Sequence, residues 1–89
     1  MIRRSLRIRN RLGLHARAAA RFVHTASRFR SQVSAGRDGR TMDGKSILGI
    51  LLLGASHGTE IELTVEGPDE VEALAALEAL VASGFGEEA

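Results

Sequence analysis

The 89-residue chain is 44% hydrophobic and 26% charged with a formal net charge of +1, a balance that fits one ordered domain over residues 1–89 and excludes both a disordered chain and two separate cores. It has no cysteine, which excludes a disulfide framework and a thiolate metal site and makes a reducing cytoplasm the natural compartment. The longest apolar run, ILGILLLGA at 47–55, is too short to span a bilayer, and the N-terminus lacks the apolar block of a signal peptide.

The small net charge hides an asymmetry. Residues 1–40 carry eleven arginines and one acid, Asp38, whereas residues 41–89 carry Lys45 against ten acids. A basic half suits an anionic ligand or an acidic partner surface. It also suits arginines that merely solvate the surface and pair with the acids of the other half. Nucleic acid fits poorly: with three Phe and no Tyr or Trp, the chain offers no stacking platform for bases.

In chain order, residues 2–9 alternate, with Ile2, Leu6 and Ile8 on one side and Arg3, Ser5, Arg7 and Arg9 on the other. This predicts a half-buried strand in which Arg4 is a misfit. From Ala16 to Arg28 the period becomes helical. Ala19, Phe22, Val23 and Ala26 form an inward stripe, while Arg17, Arg21, His24 and Arg28 form a basic stripe on another face. Residues 31–43 predict a hairpin turning at Asp38-Gly39. Ser46 to Leu53 predicts a short helix with Ser46 as N-cap and Gly54 closing it. Residues 60–66 alternate with Ile61, Leu63 and Val65 inward. A last helix starts around Pro68 and ends at Gly84, with Val71, Leu74, Leu77 and Val81 predicted inward. The order β-α-β-β-α-β-α implies an α+β domain in which a four-stranded antiparallel sheet carries its helices on one face.

His15 stands at the start of the first helix, with Arg17 in the first turn. A helix start exposes amides without partners and a positive dipole end, which together suit phosphate. That same positive end disfavours a protonated ring, so a ring nitrogen is open to act as a nucleophile toward a phosphoryl donor. Ala16 and Arg17 would then offer backbone amides, and Arg17 its guanidinium, to the arriving oxygens. The residues alone leave a second reading open, in which His15 simply decorates a helix start. His15, His24 and His57 lack metal-ligand spacing, so no metal is expected. His57 reads as a turn residue beside Gly58.

The short helix has no polar face. Ile50 and Leu53 are assigned to the core, and Ile47, Leu48 and Leu51 to a docking surface that includes Ala20 and is rimmed by Arg17, Arg21, His24 and Arg28. Burial of the whole helix under a loop is the alternative.

GLHARAAARFV at 13–23, GKSILGILLLGASHGTEIEL at 44–63 and GPDEVEALAALEALV at 67–81 together resemble the HPr family, the histidine phosphocarriers of the bacterial phosphotransferase system. The resemblance implies an open-faced β-sandwich. It also implies that His15 accepts a phosphoryl group on Nδ1 from phosphorylated enzyme I and passes it to EIIA-type acceptors, with Arg17 steadying it. No cofactor is implied, and the expected state is a monomer that leaves its donor after each transfer. Ala18 departs from the family's usual proline, so a looser first turn is expected. Ser46 matches a serine that some members have phosphorylated by a dedicated kinase. Two other readings remain: a regulatory, nitrogen-branch paralogue with the same chemistry, and an acylphosphatase-type hydrolase using Asn10, Arg11 and Arg17. The hydrolase would leave His15 without a role.

Overall fold

The computed structural model describes residues 1–87. The chain order is β1 (Ile2–Arg7), α1 (Ala16–Ser27), β2 (Gln32–Arg37), β3 (Arg40–Asp43), α2 (Ile47–Leu53), β4 (Glu60–Glu66) and α3 (Glu70–Ala82), followed by a short 3₁₀ turn at Gly84–Gly86. The strands form one antiparallel sheet in the order β1-β4-β2-β3. Register places Ile2 opposite Val65, Leu6 opposite Ile61, Val33 opposite Val65 and Ala35 opposite Leu63. Paired residues share a face, so alternation collects these apolar side chains beneath the helices. The other face carries Arg3, Ser5, Arg7, Glu60 and Glu62, all of them exposed. Arg4 falls on the apolar side because the period requires it. Its guanidinium reaches Glu78 of α3 at 2.8 Å, which resolves the misfit in the alternation.

The core is continuous between sheet and helices, with Phe22, Ile50, Leu53, Ile61, Leu63, Val65, Leu77 and Phe85 almost fully buried. Each large side chain contributes roughly 1.5–3 kcal/mol by leaving water. Helix α1 buries Ala18, Ala19, Phe22 and Ala26, while Val23 is only half-buried and packs at the margin. Two expectations need correction. In α3, Val71 is 65% exposed and Ala73 takes its place in the core. At about 100° per residue, the arc shared by Ala73, Leu74, Leu77 and Val81 leaves Val71 about a quarter-turn or more from its centre. Helix α3 also starts at Glu70 rather than at Pro68, with Asp69 as the residue before it.

Asp69 holds this junction together. Its carboxylate accepts from the Arg30 amide at 2.9 Å, the Ser31 amide at 2.9 Å and the buried Ser31 hydroxyl at 2.5 Å. The hairpin turn forms as the sequence requires: Asp38 and Gly39 both have positive φ, 52° and 78°, the twist that suits a two-residue connection.

Two predictions follow from these local demands. Gly13 has φ +65°, and a Cβ there would lie 2.6 Å from the Ala55 carbonyl oxygen, whereas a Cβ on Gly39 would meet nothing within 4 Å. Gly13→Ala should therefore lower unfolding stability by roughly 2 kcal/mol or more, and Gly39→Ala by only about 1 kcal/mol, in urea titrations. The Asp69 carboxyl is lowered from 3.8 to about 2, first by the Ser31 hydroxyl and then by the Arg30 amide, against an opposing effect of burial. A group with a depressed folded pKa stabilises fully above its unfolded value and stops doing so as pH falls through the folded one. Wild type should thus lose stability between about pH 4 and pH 2 more steeply than Asp69→Asn, as read from urea midpoints at each pH.

Candidate functional site

The loop from Ile8 to His15 is fixed at both ends by backbone hydrogen bonds to the segment before β4. The Ile8 amide donates to the Thr59 carbonyl at 2.8 Å and its carbonyl accepts from Gly58 at 2.8 Å. Farther on, the buried Leu14 donates to Ala55 at 2.9 Å. Between these anchors the chain turns, with Gly13 donating to the Asn10 carbonyl at 3.2 Å. Asn10 is 4% exposed, and its side-chain amide donates to the Gly13 carbonyl at 2.7 Å. A polar side chain this deep is held by such bonds.

His15 is the last extended residue before α1, at φ −75° and ψ 179°, and its carbonyl accepts the first bond of the helix from Ala19 at 2.8 Å. Its side chain does not cap the helix, and no acid stands in the first turn. The amides of Ala16, Arg17 and Ala18 therefore have no partner among the described residues, and they point out of the positive end of a twelve-residue helix. Ala18 sits in this first turn fully buried, and the helix starts at Ala16 without a proline.

The His15 ring borders an open cleft of about 900 Å³, whose lining also includes Arg11, Arg17, Arg21 and Glu87. Three guanidinium groups around one carboxylate give the cleft a positive field. Arg17 makes no hydrogen bond or ion pair to any described side chain. Arg21 instead donates to the Phe85 carbonyl, so this member of the predicted basic stripe also ties down the end of the chain. Glu87 contributes the carboxylate. One oxygen meets His15 Nε2 and the other accepts from the Asn10 side-chain amide at 3.0 Å. Burial raises the Glu87 pKa, but the bonds from His15 and Asn10 and the nearby Arg21 charge outweigh it and lower the value overall.

The other sequence-predicted residues lie outside this cleft. Ser46 caps α2, its hydroxyl accepting from the Gly49 amide at 3.0 Å. On α2, Ile50 and Leu53 are buried, while Ile47, Leu48 and Leu51 are 46%, 65% and 37% exposed. Leu52, 54% exposed, joins them and was not picked out by the sequence reading. Ala20 and His24 are exposed on α1, which packs beside α2. His57 is exposed in the turn before β4. Among the described residues, no three His, Cys, Asp or Glu side chains cluster in a way that would hold a metal ion, and no helix is long and apolar enough to cross a membrane.

Two contributors escaped the sequence reading. Glu87 lies 72 positions from His15, beyond the reach of any local pattern. Asn10 entered only as a candidate for the hydrolase scheme, although an Asn six residues ahead of the helix start at Ala16, in a loop that contains a glycine, is a turn-locking signal. Asn10→Ala removes the donor to Gly13 and strands its buried carbonyl, so it should cost about 1–3 kcal/mol in chemical denaturation. Asn10→Asp, which sets an acceptor against that carbonyl and against Glu87, should cost more.

The family described as "PTS HPr component phosphorylation site" matches residues 2–83. The phosphocarrier protein HPr of Cupriavidus necator is 49% identical over 87 residues, which cover 98% of each chain. Among solved structures, HPr-C-His of Thermoanaerobacter tengcongensis superposes with a TM-score of 0.96 at 48% identity, covering all of both chains. The phosphocarrier protein HPr of Bacillus anthracis gives 0.86 at 41% identity, covering 90% of this chain and 95% of that one.

Proposed function

Since the chain belongs to the HPr family, we propose that it is a phosphocarrier, loaded on His15 by phosphorylated enzyme I and unloaded by EIIA-type acceptors. The observation that carries this reading is the setting of His15: a ring turned away from capping duty, at a helix start whose first amides are open, inside a cleft lined by three arginines.

The step is a displacement at phosphorus. The lone pair of His15 Nδ1 attacks as the donor's bond to phosphorus breaks, and the donor keeps that electron pair. The phosphoryl oxygens arrive beside the amides of Ala16 and Arg17 and the Arg17 guanidinium, where fixed donors stabilise spreading negative charge. Unloading runs the same displacement in reverse toward the acceptor. Each transfer is stoichiometric, so the protein is a substrate of its partners and no enzyme in its own right.

Docking follows from the surface beside the cleft. Exposed Ile47, Leu48, Leu51 and Leu52 on α2, with Ala20, Arg21 and His24 on α1, offer an apolar patch rimmed by positive charge. That combination favours fast, transient association with an acidic protein surface. A phosphoryl group on the Ser46 hydroxyl would place negative charge at the start of α2 and weaken that attraction.

The test is intact mass after incubation with phosphoenolpyruvate and a panel of enzyme I proteins. Wild type should gain one acid-labile phosphoryl group, and His15→Ala none. Arg17→Ala should load roughly ten- to a hundredfold more slowly. The enzyme I that works best separates the sugar branch from the nitrogen branch. No loading by any donor would overturn the carrier, and phosphate hydrolysis that survives His15→Ala would favour the hydrolase.

A further inference from the structure

The end of the described chain is built to deliver one carboxylate. After α3 the backbone passes through three consecutive positive-φ residues, Gly84 at 65°, Phe85 at 59° and Gly86 at 71°. Phe85 is the costly one, because a residue with a Cβ is strained in this region and needs its surroundings to hold it there. Its ring is 1% exposed in the core, and Arg21 holds its carbonyl. The next residue but one is Glu87. Its side chain is only 16% exposed, and both of its oxygens are engaged, one by His15 Nε2 and the other by Asn10. Asn10 is itself locked to Gly13, so the carboxylate is held by the same loop that presents the histidine.

We propose that Glu87 is a positioning residue for the transfer reaction: by accepting the Nε2 proton of His15 it keeps the lone pair on Nδ1 and balances the positive charge the ring gains when Nδ1 is phosphorylated. The proposal rests on the carrier reading. An ionised carboxylate can only accept, so the proton shared by this pair belongs to the ring nitrogen. A histidine whose Nε2–H is committed in this way has its tautomer and its ring orientation fixed, with Nδ1 as the free nucleophile.

The electron count is simple. Attack by the Nδ1 pair forms the nitrogen–phosphorus bond while the donor's bond to phosphorus breaks. The ring keeps its Nε2 proton and becomes cationic. When the phosphoryl group leaves for the acceptor, the pair returns to Nδ1 and the ring is neutral again. No proton enters or leaves in either direction, and the countercharge is already in place. The depressed pKa of Glu87 is in keeping with a carboxylate that stays ionised throughout. Among the described residues, the other charged groups around the ring, Arg11, Arg17 and Arg21, are all cations and supply no countercharge.

The experiment uses the full chain with ¹⁵N-labelled histidine. Ring-nitrogen shifts of the unphosphorylated protein report the tautomer, and loading by enzyme I with phosphoenolpyruvate is timed by mass. Wild type should show the Nε2–H tautomer predominating at His15. Glu87→Ala should show mixed tautomers and load about tenfold more slowly. Glu87→Gln, which keeps an acceptor but loses the charge, should hold the tautomer and load at an intermediate rate. Unchanged ring shifts in Glu87→Ala would overturn the proposal, as would altered shifts with an unchanged loading rate. Backbone amide spectra of both variants check that the fold is intact. Failure of wild type to load would sink the carrier reading instead, and the tautomer measurement, which needs no donor, would still judge the contact.

Discussion

The close passage of the Gly13 backbone beside Ala55 sets the geometry of everything around His15. The two segments approach until there is no room for a side chain on Gly13, and the next amide, Leu14, donates across the gap. With Leu14 held in the core, the extended conformation of His15 and the start of α1 follow within one residue. The ring is then carried outward at a fixed angle to the first amides of the helix. A looser crossing would let the helix start drift relative to the α2–β4 segment. The ring and the open amides would then no longer face the same volume.

The same economy applies to the helices. Helix α2 has seven residues, too short to be stable alone, and it persists because Ser46 caps one end and Ile50 and Leu53 anchor it in the core. The arginines of the β2–β3 hairpin complete it from outside: Arg37 donates to the carbonyls of Leu53 at 3.3 Å and Gly54 at 3.0 Å, and Arg40 to that of Leu52 at 3.2 Å. These groups sit at the negative end of the helix, where cations are favoured. With both ends and one side satisfied, the remaining apolar side chains can face outward without costing the fold. An apolar surface is thus kept beside a positively charged cleft on a scaffold that does not need it for stability.

The charge asymmetry of the sequence takes on several meanings in three dimensions. Arg4 bridges to a helix, Arg37 and Arg40 cap one, Arg21 ties down the chain after α3, and Arg11 and Arg17 line the cleft. Residues of one type, indistinguishable in composition, divide between scaffold and site according to what the fold places within reach of each guanidinium.

Much of the architecture was legible because it is local. The alternation in residues 60–66, the helical stripe after His15, the Asp38-Gly39 turn, the Ser46 cap and the element order each depend on neighbours a few positions away, and each is present. The special position of His15 was legible for the same reason, since a helix start is a local event. Val71 shows where locality ends. It belongs to an apolar stripe in α3, but which arc of a helix is buried depends on what packs against it, and here Ala73 won. Leu52 illustrates the same limit from the other side. Glu87 shows it most sharply, because a run of Ser-Gly-Phe-Gly carries no sign that the following acid will meet a histidine near the other end of the chain. By itself the sequence determined which segments are strands and helices, and which residue stands at the open helix start, because those follow from short-range periodicity, capping and turn stereochemistry. Only the tertiary structure decided which arc of each helix is buried and which carboxylate stands behind His15, because those depend on contacts between residues far apart in the chain that exist only once the core has packed.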